Sequence, residues 1–315
     1  MGVKVARAVL FYYFIMVETI LSVVFNAFSI IRMAWPSSQT SLAQCWEQLM
    51  VKVQEIQALY RCAIESKRPF QIFWLWLFSL SIAYCIFLTY LVFSSTIKFV
   101  VDRNHYIFYS LRVFSYLSHT TAGASFALFS MLLRTLIVEM KTVIRRTNVT
   151  ETQLRSMIQL YRHIQQIIER CCTVYGWVLI LIFFEHFLIL TDRSFFAIRM
   201  YRLPMGFSFN QVISMSMSWV FPLALNDTML IGACVATERA LHAFEKQLCS
   251  LRNATVEDDS DLAFMITSFG LYVAERKPKY RILNSINLNF SLLYGSCGVI
   301  ATYLTVFLQF DTQNV

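Results

Sequence analysis

Six long apolar runs set the limits on this chain: 6–31, 70–101, 107–137, 173–191, 207–236 and 288–310. A helix needs ~20 residues to cross the hydrocarbon of a bilayer. Several runs exceed that, so they tilt or continue past the membrane. Composition agrees, with 57% hydrophobic and 15% charged residues and a mean hydropathy of +0.55. Soluble domains sit near a quarter charged. The expected fold class is all-α: a polytopic membrane protein with six transmembrane helices.

The segments between the runs alternate in charge, and this orients them. Segment 32–69 carries five Lys or Arg, 134–172 seven and 237–287 seven, which is 19 of the 27 in the chain. Basic residues collect on the cytoplasmic side, so those three connections are expected there. The short 102–106 connection, the 192–206 loop and both termini then face outside. The net charge of +8 reports this topology and is no footprint of nucleic acid, so no nucleic-acid partner is expected.

The last run is not uniformly apolar. Asn284, Asn287, Ser291, Gly295, Gly298, Thr302, Thr305 and Gln309 recur at steps of three or four. That spacing places them on one face of a helix covering 284–310. Such a stripe on a membrane helix either admits a neighbouring helix closely or lines a wet path. The Asn and Gln amides favour water, because lipid supplies no hydrogen-bond partner.

The stripe ends on Thr302-Tyr303, five apolar residues, then Gln309-Phe310. This resembles the signature that closes the last membrane helix of insect gustatory receptors. Glu275-Arg276-Lys277-Pro278 and Leu288-Asn289 also look like that family; the remainder resembles it in layout. The resemblance implies seven spans, a cytoplasmic N-terminus and an external C-terminus. Six spans fit if the family's first span is absent and Met1 begins just before the second.

The resemblance further implies a ligand-gated, poorly selective cation channel. Four subunits, in a homo- or hetero-tetramer with other gustatory receptors, would surround one pore in the plasma membrane of sensory neurons. Ser291, Gly295, Thr302, Thr305, Gln309 and Phe310 would line or gate it. Phe310 would shut it by dewetting, and Asp311 would add negative charge at the mouth. A lipid-interface anchor is the plainer reading of Phe310. Sugar-sensing members carry an acidic residue after the Thr-Tyr pair. This chain has Leu304, which leaves bitter compounds, other tastants or internal cues.

Polar and ionisable residues inside spans are a second signal. Glu18, Glu185-His186 and Asn226-Asp227 fall within runs. Each charged one costs at least ~2.5 kcal/mol in lipid, so such groups face a cavity or a partner. A hydrogen bond between helices is the alternative for each. The family's ligand site lies among the outer halves of the spans before the last. The residues expected there are Tyr90, Tyr109, Tyr116, His119, Glu185, His186, Asn210 and Trp219, an aromatic wall with a few polar groups.

Two connections show helical spacing of apolar residues. In 41–65 these are Leu42, Trp46, Leu49, Val53, Ile56 and Tyr60. In 151–172 they are Leu154, Ile158, Tyr161, Ile164 and Ile168, after a cap-like Thr150-Glu151. They are expected to continue the spans into the cytoplasm, with an interfacial helix on lipid as the alternative. Segment 253–261, rich in Asp and Glu, reads as a solvated loop.

The eight cysteines fall in spans or on the cytoplasmic side, so no disulfide is expected. No CxxC or His pair has metal spacing, and no metal or cofactor is expected. No phosphate loop, GxSxG or HExxH is present, so no enzyme is expected. Four sequons, at Asn148, Asn226, Asn253 and Asn289, fall in the cytoplasm or inside spans and are expected to stay unmodified.

The chain thus divides into ligand-binding helices (1–236), a cytoplasmic anchor segment (237–287) and a pore helix with its external tail (288–315). Its partners are a small-molecule tastant, permeant cations and membrane lipid. The rivals are a non-conducting co-receptor subunit and a secondary transporter. A transporter would show an internal repeat, which is absent here, and broken spans, for which Pro222 is the one candidate.

Overall fold

The computed structural model describes scattered positions between 20 and 51, then 103–146, 151–202, 209–255, 260–275, 279–283 and 285–313. Its elements are α1 (Arg103–Arg146), α2 (Glu151–Arg202), α3 (Phe209–Thr255), α4 (Ser260–Glu275), β1 (Arg281–Ile282), β2 (Ile286–Asn287) and α5 (Phe290–Gln313).

The long helices outrun the membrane. α2 has 52 residues and α3 has 47, or roughly 70–80 Å each at ~1.5 Å per residue. A hydrocarbon layer of ~30 Å takes less than half of that. The 151–172 segment and the 173–191 run are therefore one helix, and the helix runs on through the expected 192–206 loop as far as Arg202. Glu151 opens α2, where its charge suits the helix N-terminus, and it pairs with Arg155 at 3.1 Å. Leu154, Ile158, Tyr161, Ile164 and Ile168 are all buried in protein. That removes the interfacial-helix reading, because the apolar face is spent on neighbouring helices. The 41–65 segment lies largely outside the described residues.

Hydroxyl groups in these helices donate to their own backbone. Ser130 bonds the Phe126 carbonyl, Thr135 that of Met131 and Thr142 that of Val138, at 2.9–3.0 Å. In lipid this satisfies a group that would otherwise need a partner. Pro222 lies within α3 and does not end it. The missing N–H costs one helical bond, and packing of Leu223 and the buried residues after it holds the helix.

One core joins α1, α2, α3, α4 and β1. It is partly aromatic: Tyr161 meets Phe269 edge-on at 5.1 Å, and Phe126 meets Tyr280 at 6.0 Å. α3 reaches Thr255 and α4 starts at Ser260, so helices take both ends of the expected 253–261 loop; its centre, 256–259, lies outside the described residues.

The antiparallel strands are unexpected. Arg281 faces Asn287 and Ile282 faces Ile286. Leu283 turns between them at φ 49°, a left-handed conformation that is costly for a branched side chain. Tyr280, Ile282 and Leu288 are buried, and Gly176 of α2 makes the seat. A Cβ there would lie 3.3 Å from Ile282 Cγ2. The hairpin also corrects the last helix, which starts at Phe290. Asn287 is a strand residue whose Oδ1 accepts from Arg281 Nε at 3.2 Å, so the polar stripe begins at Ser291. Asn284 lies outside the described residues. Asn289 caps α5, its side chain accepting the Ser291 N–H at 3.1 Å.

Candidate functional site

Two sets of residues carry the chemistry. The first is a buried polar layer where α1, α2 and α3 meet. His119 Nδ1 of α1 contacts the Glu185 carboxylate of α2. The next residue, His186, holds Asp227 of α3 through Nδ1 to Oδ1 at 2.7 Å. Adjacent Asn226 lies against Gly123 of α1, whose lack of a side chain admits it: a Cβ there would stand 3.4 Å from Asn226 Nδ2. His119, Glu185, His186, Asn226 and Asp227 are all at most 8% exposed. Consecutive positions on α2 thus grip two different helices. Residues i and i+1 point ~100° apart on a helix, which is what allows it.

Three of the expected pocket residues, His119, Glu185 and His186, are brought together here. Their nearest partners are one another and Asp227, so these side chains are engaged in holding helices together. Asp227 and Asn226 were legible as polar groups within a span; their place beside His186 is tertiary. Tyr109 and Tyr116 are on α1 and Asn210 and Trp219 on α3, with side chains outside the described residues, as are Tyr90 and Glu18.

The second set is the stripe on α5. Leu292, Leu293, Ser296, Ile300, Leu304 and Leu308 are partly covered and form the face toward the rest of the chain. Ser291, Gly295, Gly298, Thr302, Thr305 and Gln309 are exposed. A Cβ added at Gly295 or Gly298 would meet nothing within 4 Å. Close packing against the described helices is therefore not what the glycines serve. Thr302 and Thr305 bond the carbonyls four residues back at 3.0 and 2.9 Å, which sheathes their hydroxyls along the helix. Phe310 is on α5, its side chain outside the described residues.

Aromatic rings tie α5 to α2. Phe187 meets Tyr303 edge-on at 6.1 Å, and Phe195 meets Phe307 at 5.5 Å. Phe187 follows His186 directly, so one turn of α2 touches the polar layer on one side and the Thr-Tyr pair on the other. At its base the hairpin is held by Glu238 of α3, which accepts the Tyr280 N–H at 2.7 Å. Burial pushes the Glu238 carboxyl above the usual carboxylate range, and that N–H draws it back.

Among the described residues three helices are long and apolar enough to cross a membrane, covering Ser118–Thr142, Glu151–Phe195 and Phe290–Gln309. Together with the runs in the sequence they mark a multi-pass membrane protein. The solved structure of the olfactory receptor OR5 from the insect Machilis hrabei is similar in fold. It aligns with a TM-score of 0.57 over 96% of this chain and 89% of that one, at 13% identity. No curated protein matches in sequence. The model of the 7tm chemosensory receptor family matches residues 3–314, and the chain therefore belongs to that family.

Proposed function

We propose that the protein is a gustatory-class chemosensory receptor that is itself a ligand-gated, non-selective cation channel, and not an enzyme. The observation that carries this is the orientation of α5. Its apolar ridge faces the described helices, and its small and polar stripe faces away from them. Lipid supplies no hydrogen-bond partner to an amide such as that of Gln309 on this stripe. Four copies arranged around an axis would turn Ser291, Gly295, Thr302, Thr305 and Gln309 inward, into a water-filled path. Asp311 at its outer end would favour cations. A C-terminus outside the cell follows from the charge of the connections.

The tastant site lies in the outer halves of the earlier spans, with Tyr90, Tyr109, Tyr116, Asn210 and Trp219 as its wall. The His119–Glu185 and His186–Asp227 pairs form its floor. Ligand there favours the state in which the α5 helices splay, and it does so through higher affinity for that state. Contact of Phe187 with Tyr303 supplies a route. Leu304 after the Thr-Tyr pair favours bitter or other tastants over sugars.

Phe310→Ala tests the reading. A gate residue removed this way raises the cation current recorded without ligand, normalised to protein at the cell surface. A current equal to that of the unmodified protein, in a complex that conducts, removes Phe310 from the gate. A protein that conducts under no condition, alone or with partner subunits, favours the co-receptor reading.

A further inference from the structure

The hairpin at the foot of α5 leaves apolar side chains uncovered beside exposed cations. We propose that it is a binding site for anionic phospholipid, with the turn at Leu283 set into the acyl edge of the bilayer and Lys279 and Arg281 on headgroup phosphates.

Depth in the membrane can be read from the helices around it. The ring pairs Phe187–Tyr303 and Phe195–Phe307 tie α2 to α5 and show that both run in the same direction. Gly176 stands ~16 Å along α2 from Phe187, and Phe290 ~20 Å along α5 from Tyr303. The two therefore lie within about one helical turn of the same depth. Phe290 opens the stretch Phe290–Gln309, whose length matches the hydrocarbon of a bilayer, so it marks the edge of that layer. A Cβ on Gly176 would meet Ile282 and Leu283, which puts the turn at the same edge. Arg281 pairs with Asn287, just before Phe290 and outside the hydrocarbon. The headgroup layer adds roughly 5–7 Å on that side.

The side chains suit those two depths. Leu283, Ile286 and Phe290 are each 37% exposed. Leu283 holds φ 49°, where Gly or Asn is the ordinary choice. Packing against the described helices covers it only in part and does not account for a leucine. Transfer of its exposed part into lipid does, and offsets the backbone strain. Lys279 and Arg281 are exposed, and among the described residues neither forms an ion pair. Glu238 of α3 is engaged by the Tyr280 N–H, and exposed Arg239 follows it. Glu169 of α2 is exposed, ~10 Å along the helix from Gly176 on the side away from the bilayer. Arg281 Nε donates to Asn287 Oδ1 at 3.2 Å. That bond orients the guanidinium and leaves its terminal nitrogens for a phosphate, which a planar fork binds through two hydrogen bonds. Apolar side chains flanked by cations at a membrane boundary make an interfacial anchor, and cations there are attracted to an anionic leaflet. Assignment to the cytoplasmic leaflet rests on an external C-terminus; the lipid site itself does not.

The test uses the full-length protein in nanodiscs of phosphatidylcholine, alone or mixed with phosphatidylserine, and reads melting temperature. Phosphatidylserine raises melting of the unmodified protein by a few degrees. Lys279→Gln/Arg281→Gln loses that gain and melts as the original does in phosphatidylcholine alone. Lys141→Gln/Lys246→Gln removes the same charge elsewhere and keeps the gain. Leu283→Asn suits the turn but removes its apolar tip, and loses most of the gain. No gain in the unmodified protein, or an equal gain in all four proteins, overturns the site. A gain lost with the cations but kept in Leu283→Asn overturns insertion of the turn. Glycerophosphoserine, the headgroup without acyl chains, gives no gain in phosphatidylcholine nanodiscs; a full gain overturns lipid as the ligand. A Lys279→Gln/Arg281→Gln protein that melts lower in both lipids and falls into smaller oligomers places a neighbouring subunit on the hairpin, and overturns the site too.

Discussion

Gly298 shows how a single residue can distinguish a pore from a packing seam. Among the described residues nothing lies within 4 Å of a Cβ added there, so Gly298→Leu begins in open space. We expect the variant to reach the surface and to melt within ~0.5 kcal/mol of the original, as exposed substitutions do. In the assembled channel four leucines would project toward the axis and block it. Cation current at constant surface protein should fall to background. Unchanged current would place Gly298 against lipid. The same spacing argument that picked out Gly298 in the sequence also included Asn287, and there it failed. Periodicity sees only the step between residues, and the local turn at Leu283, which ends the helical register, leaves no periodic trace.

Among the elements, the hairpin between α4 and α5 is the part the sequence hid. Two-residue strands are too short for alternation to be read, and Leu283 replaces the Gly or Asn that marks a turn with φ > 0. What fixes the hairpin is tertiary: the Gly176 seat, burial of Ile282, and the Tyr280 N–H held by Glu238. Glu238→Ala leaves that N–H without its acceptor and should cost ~1–3 kcal/mol. Glu238→Gln keeps an acceptor oxygen and avoids burying a charge, and so should recover most of the loss. Thermal unfolding of the two variants measures this. Equal melting of the Ala and Gln variants would mean that the carboxylate is not what secures the hairpin. The helices themselves were more legible. The heptad-like burial of Leu154, Ile158, Tyr161, Ile164 and Ile168 stands as read, because an apolar stripe on a long helix must be covered by something.

At the scale of the whole molecule, class and family were legible because lipid imposes strict rules. Long apolar runs and the Thr302-Tyr303 to Gln309-Phe310 segment were enough to point to the family that residues 3–314 match. The polar layer was legible only in part. A charged residue within a span announces a partner, but pairing His119 with Glu185 and His186 with Asp227 joins positions 66 and 41 apart along the chain. That proximity depends on how three helices are rotated about their axes, which no local pattern encodes. Nor does one chain account for its own surface: Tyr294 is 77% exposed, and Phe264 and Leu271 are 73% and 70% exposed. Apolar surface of this extent on α4 and α5 calls for lipid or neighbouring subunits, as a channel built from several copies would supply.

The central claim is that the exposed stripe of α5 lines a cation path, and cysteine scanning of that helix addresses it most directly. Cys297 is exposed on the same helix, so the background is Cys297→Ser. Single cysteines are placed at Gly298, Thr302 and Thr305 on the stripe, and at Ile300, Leu304 and Leu308 on the covered ridge. A positively charged, thiol-reactive reagent is then applied to a complex passing current. The account predicts block at 298, 302 and 305, with current at 300, 304 and 308 unaffected. Block at the ridge positions, with the stripe positions insensitive, would contradict it.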